Sequence, residues 1–295
     1  MILRRVLVTG AAGLLGGRVA ALLAERFEVS AARHRAGPPA GLATVDLDLL
    51  RPASFVSALE RTRPDAVVHC AAEGNPDRCE REPGPAERLN AEATADLARA
   101  CRCRGLRLVA LSTDLVFAGE RSFVNERDAP GPLLVYARTK LAGEDAALAE
   151  APDAAVLRVA LVAGRGYGAK ATSTESVAWA LREGRPLRLY SDQFRTPVDS
   201  LSVADAVARA LERPVSGRFH VGGPERLSRH DLGRRVAHVL GLSEDGIAAV
   251  TAADMPQEAR RPADTSLDSG RARRELGWEA RPLADAIRDG RAAPG

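Results

Sequence analysis

The stretch from Ile2 to Leu23 constrains this chain more than any other. Ile2 to Val8 is an apolar run rich in β-formers, and Thr9-Gly-Ala-Ala-Gly-Leu-Leu-Gly16 follows it. Val19, Ala20, Leu22 and Leu23 then recur at helical spacing. The order is therefore strand, Gly10-x-x-Gly13-x-x-Gly16 turn, helix. Gly10 permits the tight turn, Gly13 lets the backbone approach a pyrophosphate, and Gly16 allows the helix to pack close to the strand. The helix N-terminus, with Leu14 and Leu15 in its first turn, then faces the phosphates.

The pattern repeats along the chain. Strands are predicted at Phe27 to Ala32, Asp65 to Cys70, Leu106 to Ser112 and Ala154 to Val162. Helices are predicted at Pro52 to Arg61, Ala86 to Cys103 and Leu133 to Glu150. Strands alternating with helices imply right-handed βαβ units and an α/β fold with a doubly wound parallel sheet covered on both faces. After residue 163 the strands become short, near Leu187 to Tyr190 and Gly217 to Val221. Helices are predicted at Ser173 to Arg182, Val203 to Glu212, Ser228 to Leu240 and Ser269 to Leu276. The expected organisation is a dinucleotide-binding domain over 1–163 and a smaller α+β substrate lobe over 164–295, with Gly217 to Val221 returning to the first sheet.

Composition excludes several classes. In 295 residues the net charge is +3 and the basic residues form no block, which argues against nucleic-acid and membrane-surface partners. No apolar run approaches the roughly 18 residues of a membrane helix. Cys70, Cys79, Cys101 and Cys103 fit no common metal or CxxC spacing. With no export signal at the start, the expectation is reduced thiols in the cytoplasm.

The end of the second strand distinguishes NAD from NADP. An acidic residue there would bind the ribose 2′-hydroxyl. This chain has Ala31-Ala-Arg33-His34-Arg35 instead. Arg33 and Arg35 suit a 2′-phosphate, so NADP(H) is favoured over NAD(H). Asp46 and Leu47, ending the next short strand, are placed to flank the adenine, while Asp48 is equally suited to cap a helix.

All but two of the 42 basic residues are arginine; only Lys140 and Lys170 are lysine. A lysine retained in such a chain does what a planar, permanently charged fork does not. Lys140 stands four residues after Tyr136, on the same helix face. An ammonium ~5 Å from a phenolate, at an effective dielectric of ~20, attracts it by about 3 kcal/mol and lowers the phenol's pKa by about two. That would suit Tyr136 to give a proton to a carbonyl oxygen receiving a hydride. Thr113 ends a predicted strand, where ligands sit in open α/β sheets, and can bond the same oxygen. Asn90, in the long helix, is placed to hold a water linking Lys140 to solvent.

Together these residues resemble the extended short-chain dehydrogenase/reductases. Ser112-Thr-Asp-Leu-Val-Phe-Ala-Gly119, Tyr136-Ala-Arg-Thr-Lys-Leu-Ala-Gly-Glu144, Asp192-Gln-Phe-Arg-Thr-Pro197 and Ala259-Arg-Arg-Pro-Ala-Asp-Thr-Ser-Leu-Asp268 are similar to the dTDP-4-dehydrorhamnose reductase family. So are Arg63-Pro-Asp-Ala-Val-Val-His-Cys-Ala-Ala72 and Cys79-Glu-Arg-Glu-Pro83. The resemblance implies a reduced nicotinamide cofactor, a nucleotide-linked 4-keto-6-deoxysugar and a Rossmann-like fold. It makes Thr113, Tyr136 and Lys140 the catalytic set, with Tyr136 and Lys140 also touching the cofactor. It adds Ala71 and Ala72 to the cofactor site, and Asp114, Gln193, Arg260 and Arg261 to the sugar-nucleotide site. A homodimer is the assembly it suggests. Two departures stand out: Leu115 where the family usually has tyrosine, and Ala160-Leu161-Val162 where it often has an aromatic pair. His69-Cys-Ala-Ala-Glu73 and Arg33-His-Arg35 are also similar to the regulatory β subunit of methionine adenosyltransferase. That likeness keeps open a non-catalytic NADP-binding subunit, beside a reductase of another carbonyl.

Overall fold

The computed structural model describes residues 3–292 except 35, 36, 38, 39, 169 and 256. Seven parallel strands form the central sheet: β1 (Arg5–Thr9), β2 (Glu28–Arg33), β3 (Ala43–Asp46), β4 (Ala66–His69), β5 (Arg107–Thr113), β6 (Ala155–Val159) and β7 (Gly217–Val221). Their spatial order is β7-β6-β5-β4-β1-β2-β3. The chain winds outward from β1 to β3, crosses back to β4 and winds the other way. The doubly wound expectation holds, and the reversal between β1 and β4 opens a crevice at the carboxyl ends of the strands.

Alternation along each strand feeds two cores. Val6 and Val8 face the helices Leu14–Leu23 and Ser200–Glu212 on one side of the sheet. Leu7, Val67 and Leu108 face Pro52–Thr62, Ala93–Cys103 and Val135–Glu150 on the other. A third cluster joins the helices Ser173–Arg182, Arg229–Leu240 and Leu283–Arg288 beside a parallel pair, Leu187–Tyr190 with Ile247–Val250. As expected, Gly217–Val221 rejoins the central sheet, pairing with β6.

The helix predicted over Ser269 to Leu276 is a π-helical turn, Ala272–Leu276, and two further differences from expectation shape the site. The strand predicted over Ala154 to Val162 stops at Val159; Val162–Ala163 then pairs with Val198–Asp199 in a separate two-stranded sheet. The chain therefore leaves the sheet at Ala160, over the carboxyl edge. The helix predicted over Ala86 to Cys103 is broken by a π-helical turn, Arg88–Glu92. One inserted residue rotates the following face, and apolar spacing alone does not reveal it.

Candidate active site

A cavity of about 600 Å³ opens over the glycine turn, lined by Gly10, Gly13, Leu47, Ala71 and Ala72 among others. Gly10 has φ +67°, and a Cβ on it would lie 2.6 Å from the Ala71 nitrogen. A Cβ on Gly16 would lie 2.2 Å from the Gly10 carbonyl oxygen. No side chain caps the helix that starts at Leu14, and its first turn holds no acid. The positive helix end is therefore left to an anion that approaches the backbone closely, which fits a dinucleotide diphosphate. Leu14 is not in the wall of this cavity; its carbonyl accepts the Tyr167 amide (3.0 Å).

The residues beyond β2 behave differently from expectation. Arg33 does not line this cavity. Arg33 and Asp46 are register partners across β2 and β3, so their side chains share a sheet face. The Arg33 guanidinium donates to Asp46 Oδ1 from Nε (2.9 Å) and Nη2 (2.7 Å). Asp46 is spent in the same pair and lies outside the cavity wall, whereas Leu47 and His34 are in it. Arg35 lies outside the described residues. Asp48 caps no helix; its Oδ1 accepts the Leu50 amide (3.0 Å).

A second cavity, of about 640 Å³, lies over the ends of β5 and β6. Thr113, Asp114, Tyr136, Gln193 and Arg261 all line it, and so does Leu15. Arg260 does not; it is exposed. Its neighbour Arg261 points inward and holds Asp77 through Nη1 (2.7 Å) and Nη2 (3.2 Å). Asp114 is buried and spoken for: it accepts Thr265 Oγ1 (2.8 Å) and Thr113 Oγ1 (3.2 Å), and Arg195 lies 3.5 Å away. Gln193 Nε2 donates to Gln257 Oε1 (3.0 Å).

Below the cavity the expected electrostatics are rearranged. Lys140 lines neither cavity; its Nζ donates to the Leu111 carbonyl (2.8 Å). Burial lowers its pKa to about 8, against the pull of Glu144 one turn on. The Tyr136 phenol is not pushed down by Lys140. Burial pushes it up, with only the Thr113 hydroxyl beside it pulling the other way to any extent. The ammonium is held by a main-chain oxygen rather than facing the phenol. Glu144 stays ionised, below the usual carboxylate range, because Arg158, Ser112 and Arg218 all donate to it, outweighing its own burial.

The Asn90 side chain is bonded within the protein. Its Nδ2 donates to the Glu73 carbonyl (3.2 Å) and Thr139 Oγ1 (3.0 Å), and its Oδ1 accepts the Glu73 amide (2.9 Å). The π-helical turn aims this amide, and Thr139 in turn donates to the Tyr136 carbonyl (2.9 Å). Asn90 is thus a clamp between the loop after β4 and the helix carrying Tyr136.

Reading the sequence found Arg261 but missed the other cations of the second cavity, Arg188, Arg195 and Arg229. Arg195 lay inside a motif singled out there but was not picked from it. Arg229 carried no signal at all, being one arginine among many. In the structure Arg188, Arg195, Arg229 and Arg261 all line the cavity. No carboxylate pairs with the Arg229 guanidinium among the described residues. Burial, with Arg195 and Arg261 close by, lowers its pKa to about 10. A half-buried cation among cations favours an anionic ligand.

Comparison with known proteins gives the family. The model of the RmlD substrate binding domain matches residues 4–291. A probable low-salt glycan biosynthesis reductase, Agl14, of Haloferax volcanii is 33% identical over 288 residues, 95% of each chain. Methionine adenosyltransferase 2 subunit beta of Pongo abelii is 32% identical over 90% of this chain and 80% of its own. The crystal structure of a hypothetical dTDP-4-dehydrorhamnose reductase from Sulfolobus tokodaii superposes with a TM-score of 0.86 at 31% identity, covering 97% of this chain and 99% of that one.

Proposed function

The chain belongs to the RmlD family of nicotinamide-dependent oxidoreductases, and on that premise we propose that it reduces the 4-keto group of a nucleoside diphosphate-linked 6-deoxysugar with NADPH. The observation that carries this reading is the second cavity, which has Thr113 and Tyr136 in its wall together with the unpaired Arg229. One group suits a carbonyl and the other a diphosphate.

Gly10, Gly13 and the amides that open the Leu14–Leu23 helix would hold the cofactor diphosphate. Bound reduced nicotinamide supplies a hydride to the carbonyl carbon. Tyr136 gives its phenolic proton to the carbonyl oxygen, and the product is the alcohol. Burial keeps that phenol protonated, the state a donor needs. Thr113 turns its hydroxyl from Asp114 to the same oxygen. Lys140 adds positive charge to the site from its anchor on the Leu111 carbonyl rather than by facing the phenol. Arg229 and Arg195 neutralise the sugar diphosphate. Preference for NADPH rests on the end of β2, which carries Arg33 and no acid that would repel a 2′-phosphate. The four cysteines are free, and no helix among the described residues is long and apolar enough to cross a membrane.

The test is NADPH oxidation by purified protein with nucleotide 4-keto-6-deoxysugars, with NADH in parallel. Sugar-dependent oxidation supports the reading, and Arg229→Leu should raise the sugar-nucleotide KM about 10- to 100-fold with NADPH affinity intact. NADPH binding without oxidation would favour a non-catalytic dinucleotide-binding subunit, the reading that likeness to methionine adenosyltransferase 2 subunit beta supports.

A further inference from the structure

The wall of the second cavity carries information about the sugar itself. Val159 is the register partner of Thr113 across β5 and β6. Leu115 follows Thr113 closely, with its amide bonded to Thr113 Oγ1 (3.2 Å), and packs in one apolar cluster with Tyr136. Ala160, Leu161 and Val162 continue the wall where the chain leaves the sheet, and Leu15 joins from the glycine turn. On the Leu115 and Val159 side of the carbonyl-binding pair, the side chains are hydrocarbon.

The polar groups nearby are already committed. Ser112 Oγ donates to Glu144. The Asp114 carboxylate is taken by Thr265, Thr113 and Arg195. The Tyr190 hydroxyl donates to the Met255 carbonyl (2.8 Å). Gln193 and Gln257 bond each other. What remains free is the arginine cations, which suit phosphate, and the unused amide groups of Gln193 and Gln257. A sugar hydroxyl brought against Leu115, Val159, Leu161 and Val162 would lose its water and gain no side-chain partner.

Resting on the reductase reading above, we propose that the substrate is deoxygenated at ring carbons beyond C6, carrying hydrogen or methyl instead of hydroxyl at the carbons on the Leu115 and Val159 side of the reacting carbonyl. The cavity selects by what it fails to hydrogen-bond. Leu115 is a specificity-determining residue in this account.

The experiment compares three probes by NADPH oxidation: dTDP-4-keto-6-deoxyglucose, its 2,6-dideoxy counterpart and its 2,3,6-trideoxy counterpart. The expected result is a kcat/KM that rises about 10- to 100-fold from the fully hydroxylated sugar to the most deoxygenated one. Leu115→Gln, which gives the wall a donor and an acceptor, should narrow that gap by roughly tenfold, with NADPH affinity unchanged as the check on folding. Equal or better turnover of the hydroxylated sugar overturns this proposal and leaves the reductase reading standing. So does an unchanged gap in a Leu115→Gln protein that still binds NADPH. No oxidation with any of the three, in protein that binds NADPH, overturns both. The wild-type comparison decides alone if the variant does not fold.

Discussion

At the scale of single residues, Tyr136 and Lys140 do different work from a bare ion pair. The phenol is kept protonated by burial, and the ammonium is fixed on the Leu111 carbonyl. Tyr136→Phe removes the proton donor and little else, since the ring still packs against Leu115 and Leu134. Turnover should fall by about 10²- to 10⁴-fold with NADPH affinity kept, as fluorescence titration would show; retained turnover would end the mechanism. Lys140 gives a pH signature. Burial penalises its charged form, so it loses its proton near pH 8 instead of near its ordinary 10.5. The kcat/KM profile should therefore drop as pH rises through about 8. Lys140→Met should be slow throughout and lack that limb.

At the scale of elements, the π-helical turn Arg88–Glu92 and the helix Val135–Glu150 form one unit. A Cβ on Gly143 would sit 2.3 Å from the Asn90 carbonyl oxygen, so the two helices touch along their backbones there. The Asn90 side chain closes the joint through Glu73 and Thr139. Asn90→Ala would leave those buried groups unpaired, and thermal or urea melts should show a loss of about 1–3 kcal/mol. Because Thr139 donates to the Tyr136 carbonyl, kcat should fall more than the NADPH affinity does. A variant as stable as wild type would show that the clamp is not what holds the joint. The strand break at Ala160 is the other decisive element. Without it, Leu161 and Val162 would continue a strand and the cavity would lose its apolar wall.

At the scale of the whole molecule, the end of the chain is tied back to the glycine turn. Arg291 holds the buried Glu175 through Nε (2.8 Å) and Nη2 (3.0 Å), and donates to the Gly168 (2.6 Å) and Lys170 (2.9 Å) carbonyls. That loop carries Tyr167, whose ring packs against Gly17 and whose amide bonds Leu14. Removing one partner of a buried pair strands the other charge. Arg291→Ala should cost about 3–5 kcal/mol in chemical denaturation, and Arg291→Ala with Glu175→Gln should recover part of it. Equal losses in the single and double variants would rule out the stranded carboxylate as the cause.

Local sequence determined the doubly wound sheet, the glycine turn and the shared helix face of Tyr136 and Lys140. Each depends on spacing within one or two elements, where backbone sterics and helical pitch act directly. Tertiary structure alone decided the rest. It paired Arg33 with Asp46 through cross-strand register, turned Lys140 to Leu111, and left Arg260 in solvent while drawing Arg261 inward. It also gathered Arg188, Arg195, Arg229 and Arg261 from separate segments around one cavity. Which of many arginines comes to a cavity wall without a carboxylate partner is set by long-range packing and desolvation, and neither is written in the spacing of residues along the chain.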